Sequence, residues 1–164
     1  MKILITILIA LVLACAETAQ GGSITSKLTI HAVVPPTLSF RITRQASRLQ
    51  ITRSDIRRGY KDMPSGTVCR ITTNNMQGYV LTVSANRLLI PGNRRNAPTD
   101  VYTSVTLSVD GNSYQIAPDG SVDVLIIPRG MVTETKQFNY RFYLPPSARE
   151  GTYPWPIRLS AALM

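Results

Sequence analysis

"VYTSVTLSVDGNSYQI" (residues 101–116) is the stretch whose reading decides the fold. Val101, Thr103, Val105, Leu107 and Val109 fall on one parity, a period of two that belongs to a strand with one buried face. Asp110, Gly111 and Asn112 follow, residue types that tolerate positive φ. Tyr114 and Ile116 then resume the alternation. The stretch predicts a strand over residues 101–109, a tight turn and a returning strand.

The same period continues outward in both directions. Upstream, Tyr79, Leu81 and Val83 share a face, residues 67–73 read as a strand, and Asn74 and Asn75 mark a turn. Leu38, Phe40 and Ile42 give a strand over residues 37–43, and Leu49 and Ile51 a weaker one over residues 48–53. Residues 53–66 read as a connection with one helical turn, and residues 87–100 as an exposed loop rich in Pro, Gly and Asn. Downstream, Pro118, Asp119 and Gly120 make a turn, and a strand over residues 122–127 ends at Pro128. Phe138, Tyr140, Phe142 and Leu144 alternate until Pro145 and Pro146. Tyr153, Trp155, Ile157, Leu159, Ala161 and Leu163 share one face of a last strand. Pro154 and Pro156 mark its start as an edge, because proline donates no ladder hydrogen bond. No stretch carries a helical period of useful length. About nine short strands with turn punctuation predict an all-β sandwich.

The first 36 residues read differently. Met1 and Lys2 precede an apolar run interrupted only by Thr6, and small residues follow at Ala14, Ala16 and Ala19. That is the plan of a secretory signal peptide over residues 1–19, with cleavage near 16–19. Val12, Leu13, Ala14 and Cys15 also read as a lipobox, with lipid on Cys15. Residues 20–36 form an N-terminal extension, and residues 37–164 the sandwich domain. Within the extension, Ile24, Leu28, Ile30, Ala32 and Val34 alternate with Thr25, Lys27, Thr29 and His31, and Pro35 and Pro36 end the run. A terminal strand is ordered only when something ties it down, so this one needs a partner.

Composition narrows the chemistry. Cys15 leaves with the leader or carries lipid, and Cys69 then has no partner in the chain and reads as a small buried hydrophobe. His31 is the one imidazole and sits on the polar parity. The sequence carries no nucleophile elbow, phosphate loop, dinucleotide fingerprint, metal-ligand spacing or paired-carboxylate pattern. These observations predict no enzyme and no cofactor. The net charge of +9 is carried largely by arginine. Arg41, Arg44, Arg48, Arg53, Arg57 and Arg58 cluster in sequence, opposed there only by Asp55. They read either as a solvated face or as a patch for polyanions and acidic glycans; no nucleic-acid-binding motif accompanies them. Tyr and Trp side chains read mainly as sheet packing, with a sugar platform as the alternative.

"SKLTIHAVVPPTLSF" (residues 26–40) resembles the N-terminal extension and first strand of chaperone–usher pilins, closest to the cysteine-free colonisation-factor type. "GTYPWPIRLSAAL" (residues 151–163) resembles the closing strand of such families. The lack of an intrachain disulfide fits that branch and departs from the disulfide-bonded pilins. The resemblance implies an incomplete immunoglobulin-like sandwich with an N-terminal donor strand, exported through the periplasm to a cell-surface fimbrium. It implies a structural subunit contributing to adhesion, whose partners are a periplasmic chaperone, an outer-membrane usher and other pilin subunits, with a surface glycan as a further partner. It assigns Ile24, Leu28, Ile30, Ala32 and Val34 as donor residues and Tyr153, Trp155, Ile157, Leu159 and Ala161 as an acceptor groove. The alternative is an exported lipoprotein or stand-alone sandwich module that binds polyanions or glycans.

Overall fold

The alternation read from the sequence becomes a set of antiparallel ladders in the computed structural model, which describes residues 33–91, 97–128 and 130–164. The elements run β1 (Leu38–Gln45), β2 (Arg48–Ile51), α1 (Arg53–Arg58), β3 (Tyr60–Thr73), β4 (Tyr79–Ala85), β5 (Leu89–Ile90) and β6 (Thr99–Asp100). They continue as β7 (Ser104–Val109), β8 (Asn112–Ile116), β9 (Ser121–Ile126), β10 (Val132–Tyr143), β11 (Gly151–Pro154) and β12 (Ile157–Leu163). One sheet has the order β1-β3-β10-β7-β8 and a second β12-β4-β9, with short ladders β11-β2 and β5-β6. The described residues are mostly β-strand in antiparallel sheets, with α1 the one helix among them, in keeping with the expected all-β class. Cys69, Ile71, Phe138, Tyr140, Phe142, Val105 and Leu107 from the first sheet join Tyr79, Leu81, Val83 and Ile157 from the second in one buried cluster.

The β7–β8 hairpin follows the sequence closely. Val109 faces Asn112, leaving Asp110 (φ 50°) and Gly111 (φ 80°) as a two-residue turn with both residues at positive φ. The strand nevertheless begins at Ser104, not Val101. Val101 and Tyr102 are both buried, which two neighbours on one strand of a one-sided sheet cannot be. Their hydrogen bonds go elsewhere: Val101 N–H donates to Leu88 O (2.9 Å), and the Tyr102 side-chain hydroxyl donates to Asn86 O.

Residues 53–66 hold more structure than a connection. Thr52 caps α1 in a capping box with Asp55, and Gly59 ends the helix at φ 77°. β3 then starts at Tyr60, seven residues before the expected Thr67. Pro64 hides this continuity, because it donates no ladder bond. The strand absorbs it in a bulge: Phe138 faces Thr67, but Tyr140 already faces Met63. Ser65 turns to φ 48° there, and its N–H donates to Asn139 Oδ1 (2.7 Å).

The C-terminal run is two strands, not one. Tyr153 lies on β11, opposite Leu49 of β2, whereas Ile157 begins β12, opposite Ala85 of β4. Trp155 and Pro156 carry the chain from one ladder to the other. With Pro154 and Pro156 two residues apart, no continuous ladder can form through this point.

Candidate functional site

β1 and β12 are the edge strands of the two sheets on the same side of the core. Among the described residues each is hydrogen-bonded on one side only, β1 to β3 and β12 to β4. They come alongside each other in opposite directions but do not pair. At one end Gln45 Nε2 bridges them, donating to Ile157 O (3.1 Å). At the other end Asn75 Nδ2 donates to Gly78 O (2.7 Å) and Met164 O (3.5 Å), fixing the end of β12.

Side chains along this gap are covered less completely than those behind it. Tyr79, Leu81 and Val83 on β4 have no exposed surface, yet Leu159 and Ala161 on the neighbouring β12 are only half-buried and Leu163 is 39% exposed. Leu38, Phe40 and Ile42 on β1 are half-buried in the same way. The gap therefore has an apolar floor and two rows of backbone groups without ladder partners among the described residues. Such an edge is a template for another strand.

The approach to β1 is pinned on either side of Pro36. Asn74 Oδ1 accepts from Thr37 N–H (2.6 Å), Asn74 Nδ2 donates to Pro35 O (3.0 Å), and Thr73 Oγ1 donates to Thr37 O (2.8 Å). Val34, just before this clamp, is 73% exposed. Ile24, Leu28, Ile30, Ala32 and His31 lie outside the described residues, as do Cys15 and the leader.

Of the closing-run residues, Leu159 and Ala161 line the open edge, Ile157 is buried beside the Gln45 bridge, and Tyr153 belongs to the β11–β2 ladder. Trp155 packs edge-on against Tyr140 and Phe142, with ring centroids 5.4 and 5.8 Å away. Its Nε1 is the one buried side-chain polar atom without a partner among the described residues. Sequence reasoning saw the parity of Leu38, Phe40 and Ile42 but did not assign them to the gap. The available signal was that both terminal strands would have to be edges.

The arginines do not act as one cluster. Arg53 pairs with Glu150 (3.4 Å) and Arg58 with Asp55, while Arg48 sits on β2 and Arg57 on α1, both exposed. Arg41 and Arg44 lie on the outer face of β1, where Arg41 faces Arg70 of β3. Of the aromatics, Tyr79, Tyr102 and Tyr140 are buried, Tyr114, Tyr153 and Trp155 are half-buried, and Tyr143 is exposed. Cys69 is buried and free, and burial, only partly offset by the Lys136 backbone N–H, pushes its thiol up to about 11. A thiol held protonated in this way is a poor nucleophile. Among the described residues no cluster of His, Cys, Asp and Glu could hold a metal ion, and no helix is long and apolar enough to cross a membrane.

The chain matches no protein-family model, and it has no significant match among curated proteins or solved structures.

Proposed function

We propose that this protein is a structural subunit of a surface fimbria, an incomplete immunoglobulin-like sandwich assembled by donor-strand exchange along a chaperone–usher route. One observation carries the reading: among the described residues β1 and β12 leave facing edges unpaired above an apolar floor of Phe40, Ile42, Leu159 and Ala161. A strand entering the gap would complete both ladders and cover that floor. The extension of a neighbouring copy, through Ile24, Leu28, Ile30, Ala32 and Val34, supplies a strand of matching parity. Each aliphatic side chain buried this way is worth roughly 1.5–3 kcal/mol. The clamp of Asn74 on Pro35 and Thr37 supports the reading further, because it fixes the chain just where β1 begins.

Complementation between two variants tests the proposal. Leu28→Asp disables the donor and leaves the gap intact; Leu159→Asp does the reverse. The mature wild-type chain is expected to form denaturant-resistant multimers, each variant alone to stay monomeric, and their mixture to stop at a one-to-one dimer. A wild-type chain that stays monomeric, or a Leu28→Asp chain that polymerises normally, refutes the reading.

A further inference from the structure

We propose that the outer face of β1 and β3 binds a linear acidic polysaccharide, independently of strand exchange. The register builds this face row by row. Arg41 faces Arg70, which in turn faces Thr135 of β10. In the next row Arg44 faces Val68, which faces Gln137; on the other side Thr72 faces Thr133. A bulge at Thr43 keeps Arg44 on the same side as Arg41. Three guanidinium groups thus occupy two adjacent rows at one sheet edge.

Like charges directly opposite each other on an antiparallel ladder are destabilising. On this same sheet Arg141, by contrast, makes a two-pronged pair with Asp62 (2.7 and 3.2 Å). Among the described residues no acid lies within ion-pair distance of Arg41, Arg44 or Arg70. Among the described residues the one side-chain hydrogen bond of these three guanidinium groups is from Arg44 to Ser65 O (3.3 Å). An external anion bridging Arg41 and Arg70 would turn the repulsion into attraction.

The surroundings select the kind of anion. Thr72, Thr133, Thr135 and Gln137 are exposed hydroxyls and an amide, suited to the hydroxyls of a sugar chain. These rows carry no aromatic ring on which a base could stack. Their only apolar side chain, Val68, is half-buried, so nothing projects into a bilayer. A polyanion of sugars, sulfated or uronic, fits all three conditions.

The test uses the full mature chain with heparin as the sulfated probe and polygalacturonate as the carboxylate probe, at graded salt. Arg41→Ser with Arg70→Thr is expected to weaken binding at least tenfold, flatten its salt dependence and leave the melting temperature equal or higher. Arg57→Ser with Arg158→Ser removes the same charge from exposed positions on other elements and is expected to change affinity less than twofold. Binding to heparin alone assigns sulfate as the recognised group; binding to both assigns anionic sugars generally. Equal losses in the two double variants, no binding to either probe, or tighter binding to single-stranded DNA of matched length overturns the proposal.

Discussion

Asp55 is a carboxylate with 2% of its surface exposed, held entirely by local partners. Its Oδ2 accepts from Thr52 N–H (3.0 Å), Thr52 Oγ1 (2.7 Å) and Lys61 Nζ (3.2 Å), and its Oδ1 from Arg58. Burial alone would raise its pKa; the bonds to Thr52, Arg58 and Lys61 outweigh burial and hold the carboxyl well below the usual range. Between that value and the unfolded one the unfolded chain binds more protons, so stability rises with pH across this window. The contribution is complete above about pH 4 and is lost as pH falls through the folded value. Asp55→Asn is expected to lower stability at neutral pH by about 1–3 kcal/mol and to flatten the acid limb of a urea-midpoint series. An unchanged acid limb would move the origin of acid unfolding elsewhere.

Lys136 explains why the sequence showed only half of β10. It lies opposite Cys69 on the inward parity, with 11% of its side chain exposed, and Glu134 lies opposite Ile71 on that same parity. Two charged residues at inward positions erase the alternation, so the strand was legible only from Phe138. The structure tolerates them because they neutralise each other: Lys136 Nζ reaches Glu134 Oε2 (2.8 Å) and Asp110 Oδ2 (2.6 Å), and the Tyr79 hydroxyl donates to Glu134. Burial alone would push the amine down, and these bonds reverse it. Lys136→Met leaves Glu134 without its cation and is expected to cost about 2–4 kcal/mol, read as a lowered urea midpoint. Restoration by the second change Glu134→Gln would assign the loss to the stranded charge.

At the scale of elements, the parity of most strands was legible, and the proline-marked joints were not. Pro64 read as a loop residue but sits inside β3; Pro154 and Pro156 read as an edge but mark a change of sheet. Hydrophobic parity reports which way side chains face, and it is blind to which strand lies alongside. Gly66 shows what the β3 bulge requires. A Cβ there would lie 2.8 Å from the Tyr140 ring and 3.0 Å from Trp155, two rings already packed against each other. Gly66→Ala is expected to destabilise by about 1–3 kcal/mol and to shift the emission of Trp155, the chain's single tryptophan. Gly59→Ala is the contrast, with nothing within 4 Å and only its φ of 77° to strain. It is expected to cost about 1–2 kcal/mol and to leave the emission unchanged.

At the scale of the whole molecule, the core grades from fully closed at β10 and β4 to half-open along β1 and β12. The sequence carried both strands and the alternating extension; an acceptor groove came only from the resemblance to pilins, because a gap is a property of two sheets and not of the parity of any one strand. If the gap accepts a strand, occupancy must raise stability by mass action. A peptide of residues 23–36, added to full chains carrying Leu28→Asp so that their own extension cannot compete, supplies that strand. At a hundredfold excess over its Kd, the gain is about 2.7 kcal/mol. At about 2–4 °C per kcal/mol for a domain of this size, the melting temperature is expected to rise by about 5–11 °C. Trp155 emission should change in step, since Trp155 lies two residues before Ile157, whose carbonyl Gln45 bridges at that end of the gap. The same peptide with Ile30→Asp keeps its length and most of its backbone bonding but places a charge over the apolar floor. It is expected to give less than a quarter of the shift. Equal shifts from the two peptides would mean that the edges bind backbone without reading side chains, and no shift from either would mean that the gap between β1 and β12 is not a strand acceptor.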